Sequence, residues 1–79
     1  MLYVKDTEWN VETTSDMVKF DKDVARLGDS QVYDLTNALD EEDGLFLYNG
    51  TEFKAYDYGV KSSFDGKGCK FYISAKVAI

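Results

Sequence analysis

GLFLYNGTEFKAYDY, residues 44–58, is the stretch on which the reading of the fold turns. Two apolar and aromatic runs, Leu45–Tyr48 and Thr51–Tyr58, flank Asn49-Gly50. Asn-Gly accepts positive φ at both central positions of a type I′ turn, so the pair predicts a tight β-hairpin. Register then decides which side chains share a face, because a one-residue slip exchanges the faces of a strand. A two-residue loop pairs Phe46 with Phe53 and Tyr48 with Thr51. A three-residue loop with Gly50 left-handed instead puts Leu45, Leu47, Phe53 and Ala55 on one face. Phe53 is buried in both. Asn49-Gly50-Thr51 also matches the N-glycosylation acceptor pattern, but it reads as a turn.

Outward from the hairpin, the preceding sequence reads as helical and acidic, and the following sequence as strand-like and mildly basic. Leu2-Tyr3-Val4-Lys5 alternates as a short strand with Leu2 and Val4 inward. Trp9, Val11 and Thr13 continue a period of two and predict a second extended segment, with Trp9 in the core or covering an edge. Ser15 is placed to cap a first helix, with Asp16 in its first turn. Met17, Phe20, Val24 and Leu27 fall at the i, i+3, i+7, i+10 spacing of one helical face, and Gly28 supplies a left-handed stop. Asp29 or Ser30 caps a second helix with the stripe Val32, Leu35 and Leu39, helped by Ala38. That helix should fray through Asp40-Glu41-Glu42-Asp43 and end at Gly44.

Beyond the hairpin, Val60–Phe64 reads as a strand and Asp65-Gly66-Lys67-Gly68 as a Gly-rich turn. Lys70–Ile79 has the clearest period of two in the chain. Phe71, Ile73, Ala75, Val77 and Ile79 point one way, and Tyr72, Ser74, Lys76 and Ala78 the other. A strand this apolar must pair centrally or pack under the helices. The order β-α-α-β-β-β predicts an α+β fold: a small antiparallel sheet with two helices packed on one face. A winged-helix arrangement is the competing architecture, and the long last strand favours the sheet. Residues 1–79 read as a single domain, near the size where one core supplies only a few kcal/mol of net stability.

The net charge is −6, unevenly spread: residues 1–43 carry −8 and residues 44–79 carry +2. There is no histidine, and Cys69 is the only cysteine. A lone thiol builds no disulfide framework, has no imidazole to activate it, and fits a reducing compartment. The opening MLYVKDTEWN lacks the apolar run of a signal peptide, and no stretch approaches the ~20 apolar residues of a membrane span. A cytoplasmic protein without a membrane partner is expected, in the host cell's cytoplasm if a phage encodes it.

Residues for chemistry are missing from the usual patterns. No Gly-rich phosphate loop, nucleophile elbow or Walker sequence is present, so neither catalysis nor a cofactor is expected. Asp21-x-Asp23 and Asp40–Asp43 offer oxygen ligands without the spacing of a calcium loop, and no metal site is expected. The helix-Gly-helix stretch 16–42 has the outline of a helix-turn-helix. Its second helix carries Asp34, Asp40, Glu41, Glu42 and Asp43 and no base, so phosphate would be repelled. Tyr58, Lys61, Phe71 and Tyr72 could stack single-stranded bases. An ordinary sheet with tyrosines on its wet face accounts for them better, and no direct contact with nucleic acid is expected.

The sharpest departure from local rules is Asp40-Glu41-Glu42-Asp43. A helix carboxyl end carries about half a negative charge, and four acids there cost on the order of 1 kcal/mol before screening. Broken local rules are a mark of functional sites. The alternative is a helix that stops at Leu39, leaving the acids in a solvated loop that keeps the protein soluble.

Together with Asp34 on the second helix and Asp16, Asp21 and Asp23 on the first, these acids predict a negative helical face. Such a face suits a basic surface, above all that of a nucleic-acid-binding protein. In size, acidity and lack of catalytic groups the chain resembles, in kind, the small inhibitors encoded by phages and mobile elements, DNA mimics and anti-CRISPR proteins. The resemblance is one of composition and carries no site residues. The alternative function is an assembly module, a homodimer or structural subunit joined through an exposed sheet edge. The surplus of aromatics in residues 45–72 motivates it.

Overall fold

The computed structural model describes residues 1–24, 30–62 and 68–78. Along the chain run β1 (Leu2–Val4), β2 (Asn10–Thr13), β3 (Val18–Val24), α1 (Ser30–Glu41), β4 (Leu45–Tyr48), β5 (Thr51–Ser62) and β6 (Cys69–Val77). The strands form one sheet in the order β1-β4-β5-β6-β3-β2. β1 pairs parallel with β4, and the other pairs are antiparallel. Among the described residues the architecture is a curled, mixed six-stranded half-barrel with one short helix. It corrects the expected two-helix α+β packing, and the winged-helix alternative with it.

The difference lies in the expected first helix. Phe20 and Val24 serve a helical stripe with Met17, but they serve a strand equally well once Val18 is counted with them. Val18, Phe20, Lys22 and Val24 share one face of β3, and Lys19, Asp21 and Asp23 the other. Two periods thus compete for the same apolar residues, and pairing decides between them. β3 pairs with β6 along its whole length, from Val18–Ala75 to Val24–Cys69, and on its other side with β2. Tertiary pairing of this extent overrides a weak local helix preference. Ser15 caps nothing; Ser15 and Asp16 form the loop of a hairpin. Thr14 closes it, its N–H donating to the Met17 carbonyl at 2.8 Å and its Oγ1 accepting from the Met17 N–H at 3.2 Å. Leu27 and Gly28, the expected end of that helix, lie outside the described residues, as do Phe64, Asp65–Lys67 and Ile79.

The second helix forms as expected. Val32, Leu35 and Leu39 are its buried stripe, and it continues through Asp40 and Glu41 rather than stopping at Leu39. Asp43 (φ 56°) and Gly44 (φ 86°) are both left-handed, and the Gly44 N–H donates to the Leu39 carbonyl at 2.7 Å. The hairpin takes the two-residue register, Phe46 opposite Phe53 and Tyr48 opposite Thr51. Asn49 (φ 51°) and Gly50 (φ 78°) supply the positive φ values of the turn. The strand expected from Val60 is not separate: β5 runs unbroken to Ser62, with a register shift between Ala55 and Asp57. Tyr56 is the extra residue. It moves the inward positions from Phe53 and Ala55 to Tyr58 and Val60, so both halves of β5 keep their apolar residues inside. β6 pairs centrally, between β5 and β3, with Phe71, Ile73 and Ala75 fully buried.

The curl is visible in the aromatic core. Along the sheet, β3 and β4 are three strand spacings apart, about 14 Å at ~4.8 Å each. The Phe20 ring on β3 nevertheless lies 5.3 Å from Phe46 and 5.0 Å from Tyr48 on β4, edge to face. The sheet therefore wraps its inner face around these rings. Phe53 completes the cluster, 5.8 Å from Phe20 and from Phe46. Trp9 is buried beside it, 6.2 Å from Phe71, with the Lys22 ammonium 5.4 Å over its ring. Burying each such ring contributes roughly 1.5–3 kcal/mol.

Candidate interaction surfaces

α1 offers two opposite faces. Buried Val32, Leu35 and Leu39 point to the core, while Tyr33, Asp34, Asn37, Asp40 and Glu41 are exposed. At ~100° per residue those five positions fall within an arc of roughly 120°. Tyr33, 63% exposed, thus shares one side of the helix with three carboxylates, and α1 has no basic residue in its last turn.

Two contacts reach the acidic end of the helix. The Tyr58 hydroxyl, from the inner face of β5, donates to Asp40 Oδ1. That bond raises the Tyr58 pKa above its ordinary 10.0, with desolvation and the charges of Asp40 and Asp43 adding to it. Lys54 Nζ lies 3.4 Å from Asp43 Oδ2, with side chains 40% and 95% exposed. A pair this open to water is worth about 0–1 kcal/mol.

The eight expected acids do not form one helical face. Asp34, Asp40 and Glu41 share the exposed side of α1, and Glu42 and Asp43 lie in the turn after it. Asp16 is in the β2–β3 loop. Asp21 and Asp23 are on the outer face of β3, where Asn10 Nδ2 donates to Asp21 Oδ1 at 2.9 Å. The misread helix is what had joined them. The spacing of 33, 34, 37, 40 and 41, complementary to the buried stripe, puts Tyr33 on the exposed side of α1 as well.

The outer face of the central strands carries a second surface, a groove of about 540 Å³. Its charges balance: Lys19, Lys61 and Lys70 face Glu12, Asp21 and Asp57. Tyr72 lies in it with Lys61 Nζ 4.5 Å over its ring and its hydroxyl 3.4 Å from Asp57. A neutral groove exerts little pull on phosphate. The four side chains considered for base stacking are also divided, since Tyr58 and Phe71 pair into the inner face, and Lys61 and Tyr72 into the outer one. Among the described residues no cluster of three or more acids, cysteines or histidines could hold a metal. Also among the described residues, no helix is long and apolar enough to cross a membrane.

The fold and its surfaces define, among the described residues, a small curled sheet with one amphipathic helix. No family model, curated protein or solved structure matches it.

Proposed function

We propose that this is a non-enzymatic binding protein that docks the exposed face of α1 on a basic partner surface. A groove or patch that otherwise receives phosphate is the fitting target, so the protein acts as an inhibitor by occupation. The observation that carries the reading is the single arc holding Tyr33, Asp34, Asp40 and Glu41. Tyrosine supplies a large rigid contact at low entropic cost, and the acids further along the same side supply steering and register. Asp43 and Glu42 extend the negative potential past the helix end, whereas Asp16, Asp21 and Asp23 belong to other surfaces and play no part.

The test compares what immobilised wild-type protein and the Asp34→Lys/Glu41→Lys variant retain from a cell extract, with salt elution. The expected result is a basic, nucleic-acid-binding protein kept only by the wild type, released by moderate salt and displaced by duplex DNA. Tyr33→Ala should weaken the same complex without changing its salt dependence. Retention of the same proteins by the charge-reversed variant overturns the reading.

A further inference from the structure

The inner side of β1 and β4 is apolar because it lines the core, but their outer side is apolar as well. Leu45-Phe46-Leu47-Tyr48 has the composition of a strand covered on both faces. Leu45 and Leu47 are half-buried but lie outside the hydrophobic cluster that Phe46 and Tyr48 join, and Tyr3 beside them is 64% exposed. Register aligns these residues in two adjacent rows. Tyr3, Leu47 and Glu52 cross β1, β4 and β5; Leu45, Lys54 and Lys76 cross β4, β5 and β6. An apolar strip is thus continued by a carboxylate in one row and by two ammonium groups in the next.

We propose that this outer face packs against the same face of a second copy of the chain, as a two-fold dimer. An axis running across the strands, midway between the rows, keeps each strand over its own copy and exchanges the rows. Leu47 then meets Leu45, and Glu52 meets Lys54, each contact occurring twice. This is the self-complementarity that an isologous interface requires, in the aligned face-to-face packing that sheets adopt. The change of sign between rows is what selects a second copy. A partner of one charge would leave either Glu52 or Lys54 against its own sign.

Lys54 is free to turn, because a pair as exposed as the one with Asp43 holds it only weakly. The contact is through the face and not the edge: the edge strands β1 and β2 are only three and four residues long. It uses a surface other than the exposed side of α1, so it stands or falls separately from the docking function.

Sedimentation from about 1 μM to about 1 mM, spanning weak to moderate association, reads the proposal directly. The wild type should dimerise within that range, and Leu47→Glu should be monomeric throughout with an unchanged circular dichroism spectrum. Glu52→Lys and Lys54→Glu should each weaken the dimer about tenfold or more, as expected when like charges meet. Mixing those two variants should restore a heterodimer, because every charged contact is then favourable. A monomeric wild type overturns the proposal, as does a Leu47→Glu variant that dimerises normally, or a mixture no tighter than its components.

Discussion

The Tyr72 ring lies across Gly59: a β-carbon at residue 59 would stand 3.4 Å from the ring's Cε1 and from its hydroxyl oxygen. The absence of a side chain there lets the ring rest on the β5 backbone, with the Lys61 ammonium on it. Because 3.4 Å is ordinary van der Waals contact and no positive φ is involved, Gly59→Ala should be tolerated. It should raise stability by about 0.5 kcal/mol through the entropy of the unfolded chain. Gly59→Val should instead lift the ring and lower stability. Thermal unfolding of the two variants distinguishes the signs.

Gly44 should behave in the opposite way. Its φ is +86°, and an added β-carbon would meet the Ala55 carbonyl oxygen at 2.9 Å. Backbone cannot swing aside as a side-chain tip can, so Gly44→Ala should cost about 1–3 kcal/mol. Urea unfolding should show the midpoint falling at constant m-value.

Phe20 is the ring that β4 and β5 share with β3, and it is 1% exposed. Phe20→Ala removes about 3–5 kcal/mol. Against a total stability on the order of 5 kcal/mol, that leaves about 0–2 kcal/mol, so up to about half of the variant should be unfolded at 25 °C by circular dichroism.

The bond from Tyr58 to Asp40 gives the protein an alkaline signature. The folded-state pKa of Tyr58 is raised above 10.0, first by that hydrogen bond. Between the two pKa values the folded state holds the proton that the unfolded state has lost, so stability falls as pH rises. The stabilisation is therefore complete below pH 10 and disappears as pH climbs through the raised value. Tyr58→Phe should lower stability by less than about 1 kcal/mol at neutral pH, since the pair is screened by water. The gap between wild type and variant should close in chemical denaturation above pH 10.

The turn at Asn49-Gly50 was legible in the sequence, because a type I′ turn has almost no other residues to choose from. Its register was not, since the two-residue and three-residue loops both bury Phe53. The stripe Val32, Leu35 and Leu39 was equally plain, since no strand reading places those residues on one face. Val18–Val24 was not. Phe20 and Val24 fit both periods, and the β6 partner that breaks the tie stands about fifty residues further along. The parallel pairing of β1 with β4 and the bulge at Tyr56 are likewise long-range or non-periodic, and leave no local trace. For the candidate surface, the acids of residues 34–41 were found because charge is read residue by residue. Their supposed companions on the first helix failed with that helix.

The central place of β6 has a consequence for how the protein is made. β6 separates β5 from β3 in the sheet, so a nascent polypeptide ending before Cys69 lacks the strand that hydrogen-bonds its two halves together. Neither half can hide its phenylalanines alone, and such non-local pairing makes for slow, all-at-once folding. Until synthesis passes that point, the growing chain should depend on chaperones, and ribosome-stalled fragments should be sticky and readily degraded.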